Sequence, residues 1–292
     1  MRQTRVHAGY FFLLPWITGF VGLTLGPALA SLYLSFTNYD LIQAPGWVGL
    51  ANYVRIMTSD TKVAESVRVT LLYVALSVPF KLGFALGIAM LLNRGLAGLS
   101  IYRALFYLPS LLGASVAIAT LWRQVFSGDG LLNRVLLLFD IHGASWVSDP
   151  DTAIYTLVAL SVWQFGSPMI IFLAGLRQLP RDIYEAAALD GATSWYQFWR
   201  ITVPLLTPVI FFNLVVQTIE AFKAFTPAFI ISGGTGGPIN ATLFYTLYLY
   251  QEAFGYLRMG YAAALAWLLV LAIAAVTAAA FLTARRWVHY EA

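Results

Sequence analysis

The chain has 292 residues, 60% of them hydrophobic and only 10% charged, with a mean hydropathy of +0.76. An average soluble domain carries about 25% charge, and a surface facing water cannot be built from so few polar side chains, so the composition excludes a soluble globular protein. A net charge of +4 with no basic cluster interleaved with aromatics speaks against nucleic-acid binding, and a cysteine count of zero excludes thiolate metal sites, disulfides and cysteine catalysis.

The apolar residues come in long runs. A hydrocarbon core of about 30 Å takes roughly 20 residues of helix, and lipid offers no partner to unpaired backbone groups, so helices are expected. The runs are too continuous for the alternation of a barrel strand. Six of them qualify. The predicted fold is an all-α polytopic membrane protein of about six transmembrane helices, a single transmembrane domain over residues 1–292.

The first span is predicted at residues 10–36. Arg2 and Arg5 precede it and Ala28-Leu29-Ala30 has the look of a signal cleavage site. The apolar stretch is longer than a signal core and runs on past Ala30, so a retained span is expected. The second span, residues 67–92, carries Lys81 two residues after Pro79. The third covers 104–126. The fourth, 153–176, contains Trp163 and Gln164.

Between spans four and five, residues 177–207 do not read as a linker. Pro180 suits a first helical position, and Asp182 and Glu185 suit the positive end of a helix dipole. Ala186, Ala187, Ala188 and Leu189 are good helix formers, and Gly191 can adopt the left-handed conformation that ends a helix. Ser194 followed by Gln197 is a capping-box pattern for a second short helix. Trp195, Tyr196, Phe198 and Trp199 would anchor a hairpin lying on the bilayer. Small alanines beside one glutamate suit close docking against a protein surface.

The fifth span is predicted at 205–231, entered through Pro204 and Pro208. It holds Glu220 and Lys223, three apart and able to share a face. Charges inside spans are costly and face a cavity or a partner, so the two either cancel each other as a local pair or meet solute. Asn213 and Gln217 lie near the same face. Amides with aromatics suit a sugar site, and they equally suit interhelical packing; Trp163 and Gln164 carry the same two readings. Gly233–Gly237 reads as a flexible outer loop. The sixth span is predicted at 261–283.

Six spans place both termini on one side. That side holds nine basic residues, Arg2, Arg5, Arg94, Arg103, Arg177, Arg181, Arg200, Arg285 and Arg286, against five in the longer opposite segments. Basic residues are retained in the cytoplasm, so both termini are predicted cytoplasmic.

ATP hydrolysis needs a P-loop Gly-Lys-Ser/Thr. The three lysines, Lys62, Lys81 and Lys223, are followed by Val63, Leu82 and Ala224. His7, His142 and His289 have no metal-ligand spacing. Neither a catalytic site nor a cofactor is expected.

The loop pattern Glu185-Ala186-Ala187, three residues, Gly191, nine residues, Ile201-x-Val203-Pro204 resembles the EAA loop of permease subunits of ATP-binding-cassette importers, with Val203 where that family usually has Leu. Ser35–Tyr39, Gly49–Tyr53, Tyr107-Leu-Pro109, Trp163-Gln164, Phe172–Leu176 and Ser232–Pro238 look like its carbohydrate branch, in particular the first permease of maltose-type and glycerol-3-phosphate-type systems. The resemblance implies an inner-membrane importer subunit with four kinds of partner: a second permease, two ATPase subunits, an extracytoplasmic solute-binding protein and a sugar or polyol substrate. It implies that Glu185, Ala186, Ala187 and Gly191 couple the subunit to the ATPase. The competing expectation is an ion-coupled secondary transporter working through Glu220 and Lys223, against which stands the lack of a clear internal repeat.

Overall fold

The computed structural model describes residues 3–94, 98–113 and 115–289, with side chains from residue 12 onward. Arg2, and the side chains of Arg5 and His7, lie outside the described residues. In chain order, α1 (Gln3–Phe20) passes through a π-turn at Val21–Leu25 into α2 (Gly26–Leu34), followed by α3 (Ala51–Thr58) and α4 (Thr61–Asn93). Then come α5 (Leu99–Leu112), α6 (Val116–Val125), α7 (Leu131–Leu137), α8 (Ala153–Trp163) and α9 (Gly166–Leu176). The loop helices α10 (Arg181–Leu189) and α11 (Ser194–Gln197) lead through a π-turn at Phe198–Thr202 into α12 (Val203–Phe222). Helices α13 (Thr226–Ile231), α14 (Tyr245–Tyr250) and α15 (Met259–Ala284) complete the fold.

All six predicted spans are helical. Four are long and apolar enough to cross a membrane as they stand, at Phe12–Leu34, Thr61–Asn93, Ser194–Ile231 and Met259–Ala284. The predicted third and fourth spans are each a bent pair: α5 and α6 meet at 97°, α8 and α9 at 44°. Phe12, Trp16 and Leu23 on the first span are 81%, 66% and 83% exposed. A ring of bare aromatics and leucines fits acyl chains and would be unstable in water.

The chain divides into two compact units. One comprises Met1–Thr61 with Leu249–Ala272. Here the two sequence segments 35–39 and 49–53 clasp each other. Asn52 Nδ2 donates to the carbonyls of Ser35 and Thr37 at 2.8 and 2.9 Å, and Ser35 Oγ shares a 2.7 Å hydrogen bond with Tyr53 Oη. Thr37 and Trp47 form an isolated antiparallel bridge, and the Trp47 ring stacks on Phe36 at 5.5 Å. The start of α15 is tied to this clasp. The Gly260 amide donates to the Tyr39 carbonyl at 2.9 Å, and a Cβ on Gly260 would run into the Thr37 carbonyl. Tyr261 Oη donates to Asp60 at 2.5 Å, while the Arg55 guanidinium covers the Tyr261 ring at 4.4 Å. Glu252, 3% exposed, is paired with Arg258 at 3.1 Å. A buried carboxylate without that partner would cost several kcal/mol.

The other unit comprises Lys62–Tyr248 with Ile273–Ala292. Its helix α4 buries Val63, Ser66, Thr70, Tyr73, Ser77, Val78, Leu82, Ala85, Ala89 and Leu92, all but the neighbours Ser77 and Val78 three or four apart. That spacing of three and four is one stripe of a helix. Phe172, Met169, Leu157, Leu160 and Leu206, from α9, α8 and α12, are among its largest fully enclosed side chains. Helix α9 packs against both α5 and α12. Two glycines allow this. A Cβ on Gly166 would lie 2.6 Å from the Phe106 carbonyl oxygen, and one on Gly175 would lie 2.8 Å from Val209. Pro208 leaves the Pro204 carbonyl without its helical donor. Thr207 Oγ1 donates to that oxygen at 2.7 Å, so α12 continues through the proline.

Candidate functional site

Three of the helix breaks in the second unit converge on one cavity of about 340 Å³. Helix α4 supplies Tyr73, Ser77 and Lys81, four residues apart and therefore in one row down its wall. Ser110 and Gly113 come from the end of α5, and Ser161, Gln164 and Ser167 from the α8–α9 break. Gln217, Glu220 and Lys223 come from the end of α12, followed by Ala224–Pro227 in the break before α13. A broken helix exposes backbone groups that a continuous one would consume, and side chains knit these ends together. Ser110 Oγ donates to the Gln164 carbonyl at 2.9 Å and accepts from the Ser167 amide at 3.1 Å. Gln164 Nε2 donates to the Gly113 carbonyl at 3.0 Å. Thr246 Oγ1 donates to the Ala224 carbonyl at 2.5 Å.

The span residues singled out in sequence separate into three groups. Gln217, Glu220 and Lys223 all line the cavity, and the last two form an ion pair of 3.0 Å with both side chains more than half exposed. The pair and the cavity lining, posed as alternatives, hold together. Gln164 lines the cavity with its amide nitrogen committed to Gly113. Trp163 and Asn213 do not line it. Trp163 is turned against the Trp122 ring at 5.9 Å. Asn213 is fully enclosed, and neither its amide nitrogen nor its amide oxygen has a hydrogen-bond partner among the described residues. Tyr73, Ser77, Ser110, Ser161 and Ser167 were not anticipated. Their signal was present as hydroxyls at helical spacing inside apolar spans, but a hydroxyl in a span commonly bonds its own helix backbone, so the pattern does not discriminate.

The loop 177–207 folds into the two expected helices, with small shifts. Pro180 is the residue before α10 rather than its first, because its ψ of 129° is extended. Thr193, not Ser194, caps α11, its Oγ1 accepting from the Tyr196 amide at 3.3 Å. Gly191 has φ +81°. Its amide donates to the Ala188 carbonyl, and the Ala192 amide donates to the Ala187 carbonyl. That is a Schellman closure, in which a left-handed residue lets two carbonyls of the last turn be satisfied. Helix α10 buries no residue of its own. Glu185 and Ala186 are exposed, Ala187 is half-buried, and Leu189 is 91% exposed. Tyr184 Oη and Thr202 Oγ1 share a 2.9 Å hydrogen bond that ties α10 to the π-turn entering α12. Helix α10 is thus an exposed amphipathic helix tied through Tyr184 to the π-turn that leads into the cavity-lining α12.

The family model for the binding-protein-dependent transport system inner membrane component matches residues 67–289. The chain belongs to that family. It is therefore a multi-pass membrane permease of an ATP-binding-cassette importer. It is similar to a probable ABC transporter permease protein, YesP, of Bacillus subtilis (strain 168), with 52% identity over 97% of this chain and 92% of that one. It is also similar to the lactose transport system permease protein LacF of Rhizobium radiobacter, with 33% identity over 95% and 94%. Its fold is similar to a chain of the bacterial alginate ABC transporter, solved with an alginate pentasaccharide-bound periplasmic protein. That match has a TM-score of 0.84 at 21% identity, covering 97% of this chain and 96% of that chain.

Proposed function

We propose that this permease forms, with a second permease subunit, the membrane pathway for a sugar, an oligosaccharide, disaccharide or related polyol delivered by an extracytoplasmic binding protein. The whole chain acts as one permease, and two ATPase subunits drive it through α10, where Glu185, Ala186, Ala187 and Gly191 make the contact. The observation that carries the reading is the exposed Glu185 helix joined to α12, in a chain of this family whose α12 lines the polar cavity. A sugar offers hydroxyls and apolar ring faces, and the cavity offers serines, Gln217 and Tyr73. Its volume falls within the usual range for small-molecule sites, roughly 300–1,000 Å³. The names of the relatives point the same way, since one transports lactose. Hydrolysis by partner subunits removes the need for ion coupling through Glu220 and Lys223.

The test is solute-stimulated ATPase activity and uptake in the assembled transporter. Gln217→Ala and Glu220→Ala are expected to change one or both by at least severalfold. Leu271→Ala, on the exposed side of α15, is expected to change neither. Unaltered uptake and unaltered stimulation in both polar variants would return the two residues to packing.

The orientation belongs to the same proposal, with both termini and the α10 loop in the cytoplasm, on the arginine bias described above. A tag at either end is expected to be protected in right-side-out vesicles, and one inserted next to Asp149 to be accessible. Termini found on opposite sides would show that the number of crossings is odd.

A further inference from the structure

We propose that the cavity selects an anionic saccharide, with Lys81 as the residue that holds its carboxylate. This inference rests on the sugar-permease reading and narrows it.

The charge count of the wall is the first observation. Among the described residues lining the cavity, the ionised groups are Lys81, Glu220 and Lys223. Glu220 is the single acid and is bonded to Lys223 at 3.0 Å. Its field reaches Lys81, but Lys81 makes no hydrogen bond or ion pair among the described residues. The wall therefore carries one net positive charge. It sits on a half-buried side chain in the middle of a 33-residue span. A cation at that depth costs several kcal/mol unless an anion or water compensates it, and the cavity is the place from which either can come.

The second observation is the neighbour of that charge. Ser77 lies one turn before Lys81 on the same wall, is 1% exposed, and has the Tyr73 hydroxyl as its neighbour one turn earlier. The Ser77 hydroxyl and the Lys81 ammonium are both donors, one turn apart in one row of the cavity wall. A carboxylate oxygen accepts from both, and the remaining hydroxyls of a sugar ring meet Ser110, Ser161, Ser167 and Gln217 across the cavity.

The choice of lysine fits a path rather than a store. An ammonium on a flexible stem presents three donors in any direction, whereas a guanidinium imposes a fixed two-point geometry. A solute that must slide past needs a charge that follows it and lets go. Lys223 is a second cation whose charge is offset by its pairing with Glu220 at 3.0 Å.

The experiment uses the complete transporter, with its second permease, ATPases and binding protein, in proteoliposomes. The probes are di- and trisaccharides of glucuronate, galacturonate and mannuronate, each beside its carboxyl-reduced neutral counterpart. Uptake of at least one uronate is expected to exceed that of its neutral counterpart tenfold or more. Lys81→Gln is expected to lower the ratio of uronate to neutral uptake at least tenfold, and Lys81→Arg, which keeps the charge but not the flexible ammonium, is expected to restore part of that ratio. Neutral sugars carried with no uronate carried would overturn the inference and leave the sugar reading standing. No sugar of either kind carried would overturn both. An equal fall for acid and neutral sugars in Lys81→Gln would show a packing role and overturn the assignment of Lys81. Loss of the second permease from the purified Lys81→Gln complex, with retention in Lys81→Arg, would show that Lys81 pairs with that subunit and would overturn it likewise.

Discussion

Glu185→Lys is expected to release the ATPase subunits on purification and to lower solute uptake more than tenfold, while the chain still inserts in the membrane in normal amount. Glu185 is exposed on a helix that buries none of its own side chains, and it makes no ion pair among the described residues. No hydrogen bond or ion pair of its side chain is present among the described residues, so the loss would be one of docking. A hydrogen bond to a charged group is worth about 1.5–3 kcal/mol, which is roughly one to two powers of ten in affinity, and reversing the charge adds repulsion. Gly191 provides the independent arm. A Cβ there would meet nothing within 4 Å, so a substitution costs only the backbone strain of φ +81°. That strain is about 1–2 kcal/mol for an ordinary residue and less for Asn, which tolerates the left-handed region. Gly191→Val is therefore expected to uncouple hydrolysis from uptake more than Gly191→Asn does. Full ATPase retention with full uptake in Glu185→Lys and Gly191→Val would remove α10 from the coupling path.

Gly166→Val is expected to be the most damaging single change at the α5–α9 contact beside the cavity. The Cβ of any larger residue would lie 2.6 Å from the Phe106 carbonyl oxygen, 2.7 Å from Tyr107 Cα and 2.9 Å from Ser110 Oγ. Two of these are backbone atoms and cannot swing aside. Helices α5 and α9 would have to part, and Ser110 would lose its hydrogen bonds to the Gln164 carbonyl and the Ser167 amide. Overpacking of this kind costs about 1–3 kcal/mol even when a site yields. Here it also deforms the cavity, so uptake should fall below a tenth of the original, with a lower unfolding temperature in detergent. Gly83→Ala is the control. A Cβ at Gly83 on α4 meets nothing within 4 Å, and an alanine there should stabilise the helix by up to about 1 kcal/mol. Equal stability of Gly166→Val and the unmodified protein would show that α5 and α9 are not held at this distance.

Much of the architecture was legible in the chain alone because the bilayer imposes it. Long apolar runs have one stable conformation in lipid, so the positions of the six helical spans followed from hydropathy, within several residues. The helical loop 177–207 was legible because its signals are local. Proline, alanines, Gly191 and a serine-glutamine capping pattern act over one or two turns, and the left-handed helix end at Gly191 was foreseeable from residue type. Even there, which of Thr193 and Ser194 would cap α11 depended on backbone angles that both residues can supply.

The cavity was a different matter. Glu220 and Lys223 are three apart on one helix, so their pairing was a property of α12 alone. Whether that helix faces lipid, a neighbour or a void is a property of how it is rotated, and local spacing does not report rotation. Asn213 and Gln217 are one turn apart in sequence; the fold encloses the first and opens the second to the cavity. Ser110, Ser161 and Ser167 come from two segments some 50 residues apart, and their hydroxyls take their meaning from helix ends that only meet in space. The bends of 97° and 44° inside two predicted spans had no counterpart in hydropathy, because a broken helix and a straight one bury the same apolar residues. Composition and periodicity determined that this chain lives in a membrane and what its loop presents. The packing of α9 against α5 and α12 decided where the polar groups converge, since convergence requires distances between residues that the sequence leaves far apart.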